Sequence, residues 1–525
     1  MTDSGKTVTK RAGIIGAGTL LSRILGLVRE SVIAAWFPKE AIDAYQIAFM
    51  LPNSFRRLTA EGSFSISVTT VFSKIWQENN IEKSRRFTAT VYGFSLLFLT
   101  LLTVAGVFGA NWLTLLAGPG FADDPQKFAL AKTLTATMFP YILFISLTAI
   151  AMGLLNSTGR FFAPAFAPVL LNISIIGAAV GLSGTMPSIG LHPIFALAAG
   201  VLIGGVAQIA IQFPSLKQAG LLVLPVLNFK DPGLKRVLKL TGPMIIGASA
   251  YQIFVIMSAA FASTLGDGAV TYIAFAQRLF ELPLAVLVMA ISTATLPSLA
   301  GMVGKNNMDE AVKIWSQALK LALFVATPAM VALIILSEPL ITIMYQRGLF
   351  THADVLETAG ALKWLAAGTL SVALLRQTTP FFYALEKVKI PVIMTFIMIT
   401  AYAAAAFFLK DIFGAKGLCM AVSVAATVQG IGLFIALRHS ISTLHITPII
   451  KTWLKMFLAS LPMGVAVWAI SLLGNWQKGG NNLLNITILG LCVAGGVIVY
   501  ALFSYVFKIQ EFKDLIDTVK RRRNQ

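Results

Sequence analysis

The sequence predicts an all-α polytopic membrane protein. Fourteen transmembrane helices are expected, as two parallel six-helix lobes around a central cavity plus two extra C-terminal helices. Three observations predict this. The 525 residues are 57% hydrophobic and only 12% charged, whereas soluble domains carry about 25% charged residues. Apolar runs long enough to cross a bilayer recur as far as residue 507. The positive charges and an internal repeat then fix the number and pairing of the spans. A β-barrel would show alternating segments of about ten residues, and the sequence has none.

The expected spans lie at about 11–36, 43–74, 88–110, 128–155, 163–183, 191–213, 237–264, 270–300, 314–337, 355–384, 390–409, 417–437, 453–473 and 484–507. Span 1 is too long and too charged for a signal-peptide core and lacks a small-residue cleavage site, so it is expected to be retained. Spans 2 and 8 are long and carry Pro52, Pro283 and Pro297. Proline removes a backbone donor, so kinks against neighbours or a cavity are expected there.

Loop charge supports this map. The N-terminal tail and every second connection after it carry 26 Lys and Arg, and the opposite side carries 7, Lys39 and Lys127 among them. Basic residues gather on the cytoplasmic side of a membrane protein, so both termini are expected there. An odd number of spans would put the basic tail on the wrong side. The repeat supports the lobes. Ile47–Phe49 recurs as Ile273–Phe275 at an offset of 226, and Pro164 and Pro391 open spans 5 and 11 at an offset of 227. Six spans separate the copies, an even number, so the repeat is parallel. The lobes are therefore expected at 1–213 and 237–437, joined by a basic cytoplasmic linker at 214–236. Spans 13 and 14 fall in 438–507, and a basic cytoplasmic tail in 508–525 is expected at the lipid interface.

Several function classes drop out. The net charge of +19 follows from the loop bias, and no basic domain separates from the spans, so no nucleic acid is expected. Cys419 and Cys492 lie inside apolar runs, and the four histidines are scattered, so neither a disulfide framework nor a metal site is expected. There is no phosphate-binding loop, nucleophile elbow or zinc-helix motif, so no cofactor or enzyme chemistry is expected. The glycines of Gly13–Gly18 lack a strand–turn–helix context and read as helix packing.

The informative residues are the charges inside spans. Each costs roughly 2.5–3.5 kcal/mol at the bilayer centre on insertion scales, so each needs a partner or a wet cavity. They concentrate between Ser22 and Glu61. Ser22 and Arg29 are seven residues apart and share a helix face, with Gly26 between them. Arg23 and Glu30 share the neighbouring face as a potential ion pair. Arg57 and Glu61 are an i,i+4 pair, and Arg56 has no such local partner. In span 8, Arg278 and Glu281 are three apart, ahead of Pro283. Arg29, Arg56 and Arg278 are expected to line one central cavity and bind phosphate, because guanidinium pairs bidentately with phosphate and keeps its charge. Inter-helix salt bridges are the alternative. Asp43, at the outer start of span 2, reads either as a carboxylate on the helix dipole or as a gating residue.

The stretches SRILGLVRE at Ser22–Glu30, LPNSFRRLTAEGSFS at Leu51–Ser65 and AQRLFELP at Ala276–Pro283 resemble the MurJ (MviN) family. This is the lipid II flippase branch of the multidrug/oligosaccharidyl-lipid/polysaccharide exporter superfamily. The resemblance covers nearly the whole chain. It implies export of the pyrophosphate-linked polyprenyl glycopeptide from the cytoplasmic to the outer leaflet by alternating access, for cell wall synthesis, in a bacterial inner membrane. It implies substrate binding by Arg23, Arg29, Arg56 and Arg278, with Ser22, Gly26, Glu30, Asp43, Arg57, Glu61 and Glu281 supporting the cavity or gating it. Spans 13 and 14 would hold the lipid tail. Glu30 stands where an aspartate is common. Some members bind sodium near an acidic residue in span 7, but 243–264 has no Asp or Glu, so the resemblance does not extend to sodium coupling.

The partners expected are lipid II, membrane lipids and other cell-wall synthesis proteins, and the chain is expected to act as a monomer. A related exporter of lipid-linked polysaccharide or of drugs is the alternative function. A drug exporter for cations would need an acidic cavity. A membrane glycosyltransferase would need a catalytic carboxylate on a sizeable loop, and no outer loop is long enough.

Overall fold

The computed structural model describes residues 3–59, 63–284, 288–441, 444, 446–480 and 482–523. The described residues form helices joined by short connections. In order they are α1 (Asp3–Trp36), α2 (Lys39–Thr59), α3 (Ser63–Gln77), α4 (Ile81–Phe108), α5 (Ala110–Ala117), α6 (Pro125–Met138) and α7 (Tyr141–Ser157). Then come α8 (Phe162–Leu182), α9 (Phe195–Ala210), α10 (Phe213–Gln218), α11 (Pro232–Ser263), α12 (Ala269–Pro283), α13 (Met289–Gly304), α14 (Met308–Ile335) and α15 (Ser337–Tyr345). The last are α16 (His352–Ala367), α17 (Thr369–Ala384), α18 (Lys389–Phe413), α19 (Ala415–Ser440), α20 (Thr447–Ser471), α21 (Leu483–Val506) and α22 (Gln510–Arg523).

Local chemistry sets many of the helix starts. The side chains of Asn80, Asp124, Asp231, Asn307 and Asn482 accept backbone N–H groups at the starts of α4, α6, α11, α14 and α21. Thr351 and Asp354 form a reciprocal capping box at α16. Each satisfies donors that a helix N-terminus leaves unpaired.

Among the described residues, nine helical stretches are long and apolar enough to cross a membrane, and α16 with α17 make a tenth span bent by 45°. The other four expected spans fall on α1, on α2 with α3, on α11 and on α12 with α13. Spans 2 and 8 are each described as two helices on either side of residues outside the described set, 60–62 and 285–287. Proline does not by itself end a helix in these spans. Pro283 is the last residue of α12, but Pro52 and Pro297 lie inside α2 and α13 without ending them. The 45° bend falls at Gly368, where there is no proline. The Ser423 hydroxyl of α19 donates to the Trp364 carbonyl at 2.5 Å, and Gly368 N–H bonds Leu365 instead. A side chain inserted into the helical ladder is a recognised cause of a kink.

The chain divides into two compact units, Met1–Val270 and Thr271–Gln525. In the first unit α1 lies along α8, α8 along α9, α2 against α6, and α3 between α7 and α11. Helix α11, the seventh span, packs with α2, α3 and α5 in this unit, one span beyond the lobe boundary expected from the repeat. In the second unit α14 packs against α13, α17 and α20, α18 pairs with α19, and α20 pairs with α21. Its core joins Trp315, Phe381, Phe382, Leu433, Met456 and Cys492.

The linker differs from a plain charged loop. Residues 221–228 have no regular structure, and Leu224 and Val226 are exposed. Val226 N–H donates to the Ala89 carbonyl of α4 at 2.9 Å, and Phe229 meets the Phe94 ring edge-on. Gly93 makes this possible, since a Cβ there would collide with the Val226 backbone. Gly93→Leu is expected to lift this segment off α4. Limited proteolysis checks it: the variant should be cut within 221–229 faster than the parent protein.

Candidate functional site

Among the described residues, Arg29 is the most enclosed of the candidate arginines. It is 8% exposed, on the side of α1 that meets α8. One guanidinium nitrogen donates to Asn172 Oδ1 at 3.1 Å and the other to Glu30 Oε1 at 2.5 Å. Asn172, one turn after Pro168 in α8, donates through Nδ2 to the Ser22 carbonyl at 3.0 Å. Ser22 and Arg29 therefore do share a face, and what they share is Asn172. The sequence reading missed Asn172, the one amide side chain in an otherwise largely apolar span and hence a candidate by that fact. It also assigned the wrong ion pair. The carboxylate expected to face Arg23 is bound by Arg29, and Arg23 is half-buried. Burial makes the pairing necessary, because an isolated charge out of water costs several kcal/mol. Gly26 does not serve a close helix contact, since nothing lies within 4 Å of a Cβ built there.

The other candidates are less confined. Arg56 is half-buried, and its Nε donates to Asn53 Oδ1 one turn back at 2.7 Å. This fixes the orientation of its fork. Glu61 and the side chain of Arg57 lie outside the described residues. In the second unit Arg278 and Glu281 are both exposed on α12.

A second cluster closes one end of the first unit. Asp43 is wholly buried. Its Oδ2 accepts from Lys127 Nζ at 2.9 Å and from Gly268 N–H at 2.7 Å. Lys127 Nζ also reaches Asp267 Oδ1 at 2.8 Å and lies 4.5 Å from the centre of the Phe121 ring. Gly120 N–H donates to Ser263 Oγ at 3.0 Å, tying the same loops together. Two earlier expectations change here. Asp43 is not a carboxylate at the helix start, because α2 begins at Lys39 and Asp43 lies past its first turn. Lys127 is not a loop cation, because Asp124 starts α6 and draws Lys127 into the buried first turn.

The second unit uses the matching position. Asp354 lies 227 residues after Lys127, also three residues past its N-cap. It is buried, and its Oδ1 accepts from Tyr272 OH on α12 at 2.6 Å. Its Oδ2 accepts from Thr351 N–H at 2.8 Å and Thr351 Oγ1 at 2.7 Å. Each unit thus anchors the second helix of its repeat to the first turn of the fourth span, through a cation in one and a carboxylate in the other.

Comparison with known proteins identifies the family. A family model described as lipid II flippase MurJ matches residues 33–486. A probable lipid II flippase MurJ of Buchnera aphidicola subsp. Acyrthosiphon pisum (strain APS) is 37% identical over 413 residues, covering 78% of this chain and 80% of that protein. A solved lipid II flippase MurJ in an inward closed conformation superposes with a TM-score of 0.77 at 26% identity, covering 96% of this chain and 99% of that one. An inward-facing multidrug resistance MATE family transporter of the MOP superfamily shares the fold, with a TM-score of 0.68 at 16% identity over 81% of this chain and 95% of that one. A match of this extent, on a helical membrane chain with buried arginine and aspartate clusters, means that the chain belongs to the lipid II flippase MurJ family.

Proposed function

We propose that this multi-pass membrane protein moves lipid II from the cytoplasmic to the outer leaflet by alternating access, without covalent chemistry. The observation that carries the reading is Arg29, a fixed guanidinium inside a chain of this family. Arg23, Arg56 and Arg278 are the further cations for the pyrophosphate. Glu30 acts as a stand-in anion. It neutralises Arg29 while no substrate is bound, and an arriving phosphate takes over the same fork, so the guanidinium never sits uncompensated. Asp43, Lys127 and Asp267 form the outer gate, at the end the charge count assigns to the outside. Lobes at 1–213 and 237–437 with a linker at 214–236, and cytoplasmic termini, complete the reading. Spans 13 and 14 carry the lipid tail. The apolar side chains of Leu461, Val465 and Trp468 on α20 and Val493 and Val497 on α21 are exposed, which supports this.

The test is charge-conserving substitution. Arg29→Lys, Arg56→Lys and Arg278→Lys keep the charge but lose the planar fork. Each is expected to fail, or nearly fail, to support growth of cells depleted of their own flippase while inserting at parental levels. Parental growth with lysine at all three positions would refute the phosphate-binding role.

A further inference from the structure

The first unit holds an apolar cavity that shares no lining residue with the charged clusters. It is about 250 Å³ in volume and lined by Phe64 of α3, Phe94 and Phe98 of α4, Ile150 of α7 and Leu238 and Ile245 of α11. Apolar cavities of about 150 Å³ already stay dry and take hydrocarbon guests. Phe98 and Leu238 are exposed, so the cavity reaches the helix surface, and α4 is a membrane-spanning helix. Lys235 precedes Leu238, Gly242 and Ile245 on one stripe of α11, about a turn nearer the helix start. Lys235, Arg236 and Lys239 on α11 and Arg86 on α4 are exposed and form no ion pair among the described residues. Beside them runs the apolar linker, whose Phe229 packs on the wall residue Phe94.

We propose that this cavity binds one hydrocarbon chain of an anionic phospholipid, whose phosphate rests among Lys235, Arg236, Lys239 and Arg86. Charge complementarity selects the headgroup, and apolar burial holds the chain. The cavity accepts part of one straight chain. The cations at its mouth, unpaired among the described residues, match an anionic phospholipid headgroup, which makes a resident lipid the occupant. The site ties the inter-lobe linker to the membrane surface, because cations and exposed apolar linker residues share one end of the cavity.

Native mass spectrometry of the full chain, stripped of lipid in detergent and titrated with dioleoyl-phosphatidylglycerol or dioleoyl-phosphatidylethanolamine, tests this. The parent protein is expected to keep one phosphatidylglycerol adduct. Nothing lies within 4 Å of a Cβ built on Gly242, so Gly242→Phe fills the cavity without a backbone clash and is expected to lose the adduct. Ile245→Trp reports the same loss where Gly242→Phe does not accumulate. Lys235→Ala is expected to weaken phosphatidylglycerol about fivefold, as removing one cation at a lipid surface does, and to leave phosphatidylethanolamine unchanged. Equal retention by parent and filled variants would overturn the site. A polyprenyl lipid as the tightest adduct, lost on filling, would overturn the phospholipid assignment while leaving the flippase reading intact.

Discussion

Arg29→Ala is expected to abolish transport and to destabilise the first unit together. The guanidinium is the partner of Glu30 and of Asn172 in a buried setting. Removing one member of a buried ion pair strands the other charge, at a cost of about 3–5 kcal/mol. A simple loss of growth would therefore confuse folding with function. The pair of substitutions Arg29→Ala and Glu30→Ala separates them. With both charges gone, most of the stability should return, because replacing both partners is far milder than removing one. Transport should not return, because the phosphate fork is still missing. Thermal unfolding of the purified variants in detergent, beside growth of flippase-depleted cells, reads both quantities. Restored growth in the double variant would show that Arg29 serves the fold rather than the cargo.

Asp43→Ala carries the second large effect. It leaves Lys127 without its buried carboxylate and Gly268 N–H without its acceptor. Asp267 still faces Lys127, but its side chain is half exposed, and a pair open to water is worth about 0.2–1 kcal/mol. The loss is thus mainly that of the buried partner, again about 3–5 kcal/mol. Asp43→Asn keeps an oxygen for Gly268 N–H and should lose less. Lys127→Met added to Asp43→Ala should recover stability, so the two substitutions are strongly non-additive. If the cluster is an outer gate, the recovered double variant should still transport poorly. Additive losses in a double-mutant cycle would contradict the coupling, and parental transport by the double variant would contradict the gate.

How much of this was legible depends on the kind of signal. Helices, their order and their approximate ends follow from apolar runs and polar caps, which are local properties. Asp124 and Thr351 cap helices that start at Pro125 and His352, three residues ahead of the spans expected from the apolar runs. The arginines stand out in the sequence for a similar reason, since charge inside an apolar run is rare and costly. Partners were not. Glu30 faces Arg29 rather than Arg23 because packing of α1 on α8 decides which side of the helix is buried. Asn172 and Asp267 contribute through contacts across more than a hundred residues, which no local spacing encodes. Lys127 was misread because loop counting treats every cation near a helix start as solvated. The repeat held the missing clue. Lys127 and Asp354 occupy one register, and a charge swap at equivalent positions suggests a structural role rather than a topological one. Proline predicts kinks in spans 2 and 8, yet Pro52 and Pro297 lie inside their helices, and the 45° bend between α16 and α17 falls beside the Ser423 hydroxyl instead.

The leaflet distribution of lipid II tests the central claim most directly. Cells lacking their own flippase carry this chain under a repressible promoter, and lipid II exposed on the outer leaflet is quantified by an added enzyme that cannot cross the membrane. Expression of the parent chain is predicted to place lipid II in the outer leaflet. Repression, or expression of the stable Arg29→Ala, Glu30→Ala protein, is predicted to leave it on the cytoplasmic side. Outer-leaflet lipid II that stays constant whether the chain is present, absent or doubly substituted would contradict the account.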